Sequence, residues 1–370
     1  MTGIIIILLL IGVVLTCTIV VARRSGHEET EPTYLDAPAF SGSILGRAIA
    51  TDLSSPAVPP EGARIRAVGM VSEVDEQTQI MDDVIKGLQQ IPPLPTVLIQ
   101  VLSELDNRSG SATSLANVIS SEPVLTASLL RAANSAATGL VRRIMSVDEA
   151  VAYLGHSTIR GLVLRMQMAK LLPSGRKDGY DSDQLWKHSL AVGQVAAHLA
   201  RRVVDVEPGL VSTIGVLHDI GKLALNSLFP TKVAQLFASG GGSAGESFLA
   251  RERCLFGGDH AFVGSILASQ WKLPHGLVDA IRCHHFPLDA SLTSMTAELR
   301  RAMRIVHVAN QLVKYSHVYC ANMEIDLISE QLLIDLGLPP RLENLLDSGL
   351  QTVIQRSMAM CGAVDTSAQS

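Results

Sequence analysis

Aromatic residues are scarce in this chain: Phe, Trp and Tyr make up 4% of its 370 residues, while 47% are hydrophobic. The apolar content is mostly Leu, Val, Ile and Ala, which favours helices. No stretch of useful length alternates apolar and polar residues, so a sheet is not expected. Positive charge is also in short supply. The formal net charge of −5 offers no general attraction for nucleic acid, and Arg142-Arg143 and Arg300-Arg301 are isolated pairs rather than a basic stripe. Nucleic acid is therefore not expected as a partner. The five cysteines, Cys17, Cys254, Cys283, Cys320 and Cys361, form no CxxC pair. An odd, dispersed set excludes a disulfide framework and reads as reduced thiols in a reducing compartment.

One long apolar run is present. Ile4 to Ala22 carries no charge and is followed at once by Arg23-Arg24. At about 1.5 Å per residue it is just long enough to cross a bilayer core of roughly 30 Å. A cleaved signal or a lipoprotein signal would want basic residues ahead of the run, where only Met1-Thr2-Gly3 stand, and Thr16 is large for a lipoprotein cleavage site. The expectation is an uncleaved, single-pass anchor. The positive-inside rule then places the remainder in the cytoplasm. From Ser25 to about Gln77 the chain is first acidic, then rich in Pro, Ala, Ser and Gly, and reads as a flexible tether.

Helical periodicity begins near Met81. Ile91-Pro92-Pro93-Leu94-Pro95 interrupts it, and Pro95 opens a helix through Val97, Val101, Leu102 and Leu105. Further helices follow through Leu115, Ala116 and Ile119, then from Pro123 to Ala133, then from Val147 to Leu154 with Gly155 as C-cap, then from Ile159 to Leu171. Pro173 to Asp183 is a polar hinge, and a second helical block starts at Leu185. Late in the chain, Ser329 caps a helix through Leu336, Leu342 to Met358 forms another, and Val364 to Ser370 is a tail.

The second block holds Gly215-Val216-Leu217-His218-Asp219-Ile220-Gly221-Lys222, a histidine–aspartate doublet inside an apolar, helix-like run. Burying a carboxylate beside an imidazole is costly unless something compensates, and a divalent cation does so. More imidazoles fall on apolar faces: His188 with Val192, Val195 and Leu199; His260 with Val263, Gly264 and Leu267; His284 and His285 after Leu277 and Ile281. Any one of them alone reads as a core histidine bonded to a backbone carbonyl. Five together with an inward aspartate point to a shared metal site. His156, His198, His275, His307 and His317 lack this placement, and Asp259 and Asp279 sit ordinarily on their helices.

The order His188, His218-Asp219, His260, His284-His285 resembles the HD metal-dependent phosphohydrolase superfamily, in the arrangement of HD-GYP proteins. Ile91-Pro92-Pro93-Leu94-Pro95, Glu122-Pro123-Val124-Leu125, Leu130-Arg131-Ala132-Ala133-Asn134-Ser135, Ala150 to Gly155, Phe256 to Gly264 and Trp271-Lys272-Leu273-Pro274 are similar to an HDOD domain, a bacterial signalling module related to HD proteins. The resemblance covers roughly residues 84 to 320. It implies an all-α fold of two helical lobes, an N-terminal lobe at 78–183 and an HD-like lobe at 184–320; outside it, the residues themselves give a transmembrane anchor at 1–24, a linker at 25–77 and accessory C-terminal helices with a tail at 321–370. It implies a divalent metal (Fe, Mn or Zn) on His188, His218, Asp219, His260, His284 and His285, with Lys222 as a phosphate contact. Two features depart from the catalytic pattern. Asn310 stands where HD hydrolases use a late aspartate, and Phe286-Pro287-Leu288 follows the histidine pair instead of a Gly-Tyr-Pro loop.

Three functions remain open. The first is a regulatory protein at the bacterial inner membrane that binds signalling partners and forms homo-oligomers. The second is a metal-dependent phosphodiesterase acting on a cyclic dinucleotide or nucleotide. The third is a sensor that binds nucleotide or metal without turnover.

Overall fold

The computed structural model describes residues 77–365 apart from 108–111, 136–138, 140–141, 173–175, 178–179, 239–246, 289–294 and 317–327. The expected anchor, Ile4 to Ala22, and the tether as far as residue 76 lie outside the described residues. Among the described residues, no helix is long and apolar enough to cross a membrane. Among the described residues the architecture is all-α apart from a two-residue ladder pairing Arg176–Lys177 with Tyr180–Asp181.

Local sequence explains most helix boundaries. Helix α1 (77–89) ends before Ile91-Pro92-Pro93. Pro95 precedes α2 (Thr96–Asp106), and α3 (Ala112–Ser120) follows. Pro123 opens α4 (Pro123–Ala133), where the missing N–H costs nothing. Helix α5 (Val147–Leu171) starts with Ser146 accepting from Glu149 N, and it is broken at Gly155, whose φ of 75° only glycine adopts readily. The break falls where the sequence places a C-cap.

Helix α6 (Ser182–Ala200) begins earlier than expected, because Asp181 accepts from the backbone N–H groups of Asp183 and Gln184. The polar segment before it is anchored through Tyr180, which is 1% exposed and meets Phe237 edge-on.

The next elements are α7 (Pro208–Leu217), α8 (Ile220–Leu228), α9 (Pro230–Ala238), α10 (Phe248–Phe256), α11 (His260–Gln270), α12 (His275–Cys283), α13 (Ala297–Tyr315), α14 (Glu330–Asp335) and α15 (Ser348–Asp365). Two buried apolar clusters hold them. The larger joins Leu98, Ile119, Leu129 and Leu162 to Leu217, Leu225 and Ile281. The second joins α6 and α7 to α13 and α14 through Val195, Ile214, Val306 and Leu333.

The C-terminal helices, expected as accessories, belong to this core. Leu350 and Ile354 of α15 enter the second cluster, and Met360 and Cys361 enter the first. Leu342–Leu345 is a separate 3-10 turn, so α15 starts at Ser348 rather than Leu342 and runs past Met358. Burial pushes the Cys361 thiol up to about 11, so it is an inert core group.

Candidate metal centre

The doublet does not lie within one helix, as the apolar run suggested. Helix α7 ends at Leu217 with His218 as C-cap, and Asp219 (φ −100°, ψ 15°) is the N-cap of α8. The chain turns there, and the turn brings α8 against α11. A Cβ on Gly221 would lie 1.9 Å from the carbonyl oxygen of His260, so only glycine allows the two backbones to approach. His260 is the first residue of α11, and His284 is the C-cap of α12 with His285 just beyond. Only His188, on α6, sits in the middle of a helix. The cluster is therefore assembled mostly from helix ends, and Asp219 lies at the N-terminus of α8, where a carboxylate is favoured.

All six residues named from the sequence converge. His188, His218, Asp219, His260 and His284 are at most 2% exposed, and His285 is half-buried. One ligand atom from each of His188, His218 and Asp219 lies within 4.8 Å of the others, and the same holds for His260, His284 and His285. Asp219 joins the two groups. Its Oδ1 is 3.1 Å from His260 Nε2 and 3.7 Å from His284 Nε2, and its Oδ2 is 3.4 Å from His218 Nε2.

The tautomers follow from the partners. His218 Nδ1 faces the Gly215 carbonyl at 2.8 Å and His284 Nδ1 faces the Ile281 carbonyl at 2.7 Å. A carbonyl only accepts, so both Nδ1 atoms carry the proton and both Nε2 lone pairs are left over. Those two Nε2 atoms and Asp219 Oδ1 are buried without a hydrogen bond. Buried polar atoms are rarely left so. Divalent cations would satisfy them, and imidazole with carboxylate is a suitable donor set for iron, manganese or zinc. The residues present fit a metal.

Burial, reinforced by neighbouring imidazoles, holds His188, His284 and His285 well below the ordinary imidazole value of 6.5. They are neutral and ready to coordinate. Burial also opposes charge on His260, but the Glu252 carboxylate outweighs it and raises that imidazole. For Asp219, burial disfavours the carboxylate, yet the adjacent His218 and Lys222 hold its pKa well below the usual range.

Lys222 is buried, with Nζ 2.8 Å from Asp219 Oδ2 and 5.8 Å from the Phe248 ring centroid. In this arrangement the amine neutralises the doublet's own carboxylate. Asn310 is buried on α13, and its Oδ1 accepts no hydrogen bond. Asp259 caps α11 through Phe262 N and pairs with Arg253, which accounts for it without a metal. His156 and His275 are exposed, whereas His307 is buried; His317 lies outside the described residues.

Glu252 escaped the sequence reading. It is 1% exposed on α10, and its Oε2 accepts from both His260 Nδ1 (2.5 Å) and His260 N (3.0 Å). It fixes the ring so that Nε2 faces Asp219 and His285. The one sequence signal is its position four residues before the buried Phe256, which puts it on the inward face of its helix. The Glu252→Gln variant keeps the shape and removes the charge, and it is expected to lower metal affinity about 10- to 100-fold. A competition titration against a chromophoric chelator, with circular dichroism as the check on folding, measures this. Unchanged affinity in a folded variant would remove Glu252 from the site.

The family model described as HDOD domain matches residues 91–287. An uncharacterized protein from Treponema pallidum (strain Nichols) is 25% identical over 243 residues, which is 65% of this chain and 45% of the relative, so the match spans less than half of that protein. The fold is similar to that of an HDOD domain protein of unknown function from Geobacter sulfurreducens, with a TM-score of 0.57 and 23% identity over 77% of this chain and 89% of the other. It is also similar to a proposed phosphohydrolase from Shewanella amazonensis SB2B, with a TM-score of 0.56 and 25% identity over 76% of this chain and 98% of the other.

Proposed function

The chain belongs to the HDOD family, and from that premise we propose that it is a regulatory protein of the bacterial inner membrane, working through contacts with signalling proteins and with further copies of itself. Its metal centre, on this reading, serves structure or sensing rather than turnover. The apolar run before Arg23-Arg24 supplies the anchor, and the helical domain faces the cytoplasm.

The observation that carries the reading is closure of the cluster. Five of its six residues are at most 2% exposed, and none of the six lines the surface cavities of about 470 and 710 Å³ found among the described residues. Only His285 is half-buried, so a phosphodiester would meet a largely covered cluster. Asn310 in place of an acidic ligand and Lys222 bonded to Asp219 agree with a site not set for hydrolysis.

A second reading is favoured by the unused Nε2 atoms of His218 and His284, which face the carboxylate as ligands would. Here His188, His218 and Asp219 would hold one cation and His260, His284 and His285 another. Such cations supply Lewis-acid activation of water and of a phosphoryl oxygen. Lys222 would then leave Asp219 for the substrate phosphate.

Elemental analysis of protein purified without chelator, with hydrolysis assays on a cyclic dinucleotide and a simple phosphodiester, separates the two. Bound iron, manganese or zinc without turnover is the expected result. Turnover that disappears on metal removal would overturn the proposal in favour of the phosphodiesterase.

A further inference from the structure

Two motifs that the metal centre leaves unexplained, Ile91-Pro92-Pro93-Leu94-Pro95 and Trp271-Lys272-Leu273-Pro274, meet in space. Trp271 Nε1 donates to the Pro92 carbonyl oxygen at 2.9 Å, and Gln270 Nε2 donates to that of Leu88 at 3.0 Å. The two motifs wall a cavity of about 710 Å³, completed by α2, α7, α12 and the start of α13. That is the size of a small-molecule site, for which roughly 300–1,000 Å³ is usual. Leu94, Leu102, Leu210 and Leu277 make most of its surface apolar.

The wall has one charge withdrawn from water. Arg160 is 3% exposed; its Nη1 donates to Thr213 Oγ1 at 3.2 Å, its Nη2 donates to Asp106 Oδ1 at 2.6 Å, and its Nε has no partner. Asp106 is itself a solvent-facing side chain, 67% exposed, and the other charged wall residues, Lys272 and Glu298, are also exposed. Arg160 is thus a buried fork held on one side by a carboxylate that water competes for. Lys272 adopts a φ of 57°, unusual without glycine, and backbone strain of this kind collects at binding sites.

We infer that this cavity binds a small amphipathic anion, with an apolar body against the leucine wall and a carboxylate at Arg160 in the place Asp106 now takes. A planar guanidinium matches a carboxylate bidentately, and within low-dielectric walls the pairing is stronger than the exposed one it replaces. The occupant would touch two helices that end in metal ligands. Helix α7 runs from Leu210 and Thr213 to His218, and α12 runs from Leu277 to His284. This site is separate from the metal centre, and its test does not depend on the reading of that centre.

The full chain in lipid nanodiscs, with empty nanodiscs as blank, can be titrated by ligand-observed NMR with 4-phenylbutyrate, its neutral amide and the matching ammonium compound. The carboxylate is expected to bind about ten-fold or more tightly than the amide, and the ammonium more weakly than either. Arg160→Gln should erase the difference between carboxylate and amide. Loss of Arg160 could also disturb folding, so Ile99→Glu serves as a second variant. Ile99 lies on the wall and is 53% exposed, and the added charge should weaken the carboxylate about ten-fold while leaving the amide within about two-fold. Equal binding of carboxylate and amide, preference for the ammonium, no binding of any probe, or indifference to Ile99→Glu would each overturn the assignment.

Discussion

Replacing Asp219 by alanine is expected to destabilise the metal-stripped protein by about 3–5 kcal/mol, the range found when one partner of a buried ion pair is removed. The carboxylate is the hub of the cluster. Lys222 Nζ lies 2.8 Å from it, and three imidazole Nε2 atoms lie between 3.1 and 3.7 Å. Without it the buried Lys222 ammonium is left beside imidazoles, with no other ion pair among the described residues. Domains of this kind are stable by only about 5–15 kcal/mol, so the variant would be close to unfolding.

The sign of the effect can be assigned by a double-mutant cycle. Lys222→Met alone should also destabilise, since it strands the carboxylate. The Asp219→Ala, Lys222→Met double variant should be less damaged than the sum of the single ones by about 1–3 kcal/mol. Urea unfolding of the four proteins measures the cycle. If Asp219→Ala alone changes stability by less than about 0.5 kcal/mol, the hub role is wrong. The double variant has a further use where circular dichroism shows it folded, because it lacks one candidate ligand. Metal bound by the parent and lost by this variant then locates the site without confusion from unfolding.

Much of the cluster was legible in the sequence because the signal was local. An apolar stripe at helical spacing with His188 in it must turn that imidazole inward, and the same logic reached His260 and His284. Which residues converge was therefore readable. Their setting was not. Gly215 to Leu225 is an apolar run without proline, so nothing in it announces that the helix stops at Leu217 and restarts at Ile220. Asp219 adopts a backbone conformation open to most residues, and what selects it is packing of α8 on α11 around Gly221. Glu252 was hidden for a related reason. Its role depends on α10 lying beside the start of α11, and no single-helix pattern carries that information. Helix α15 looked dispensable because its apolar residues face two different clusters, so neither stripe is long.

Acidification below pH 6.5 should destabilise the metal-stripped protein, and the slope identifies the groups responsible. His188, His284 and His285 are held well below their ordinary 6.5 by burial, with help from adjacent imidazoles. Below pH 6.5 the unfolded chain takes up protons at these positions and the folded chain does not. Stability must then rise with pH in that window, so it is full above 6.5 and is lost as pH falls. Each imidazole that stays neutral in the folded protein contributes up to about 1.4 kcal/mol per pH unit once the unfolded form is fully protonated. His260 acts in the opposite sense. Its raised value adds stability below 6.5 that is lost as pH climbs through the folded value; below 6.5 its proton is bound in both states, so it leaves the acid slope unchanged. Asp219, held low, adds its own loss only as pH falls below its ordinary 3.8. Urea midpoints measured from pH 7.5 to 5 test this directly. His188→Gln, which removes one titrating imidazole, should flatten the slope by about a third, and bound metal should move the transition to lower pH because it binds only the neutral rings. A midpoint that stays level across the range would mean that the three imidazoles are protonated in the folded state and are not poised as ligands.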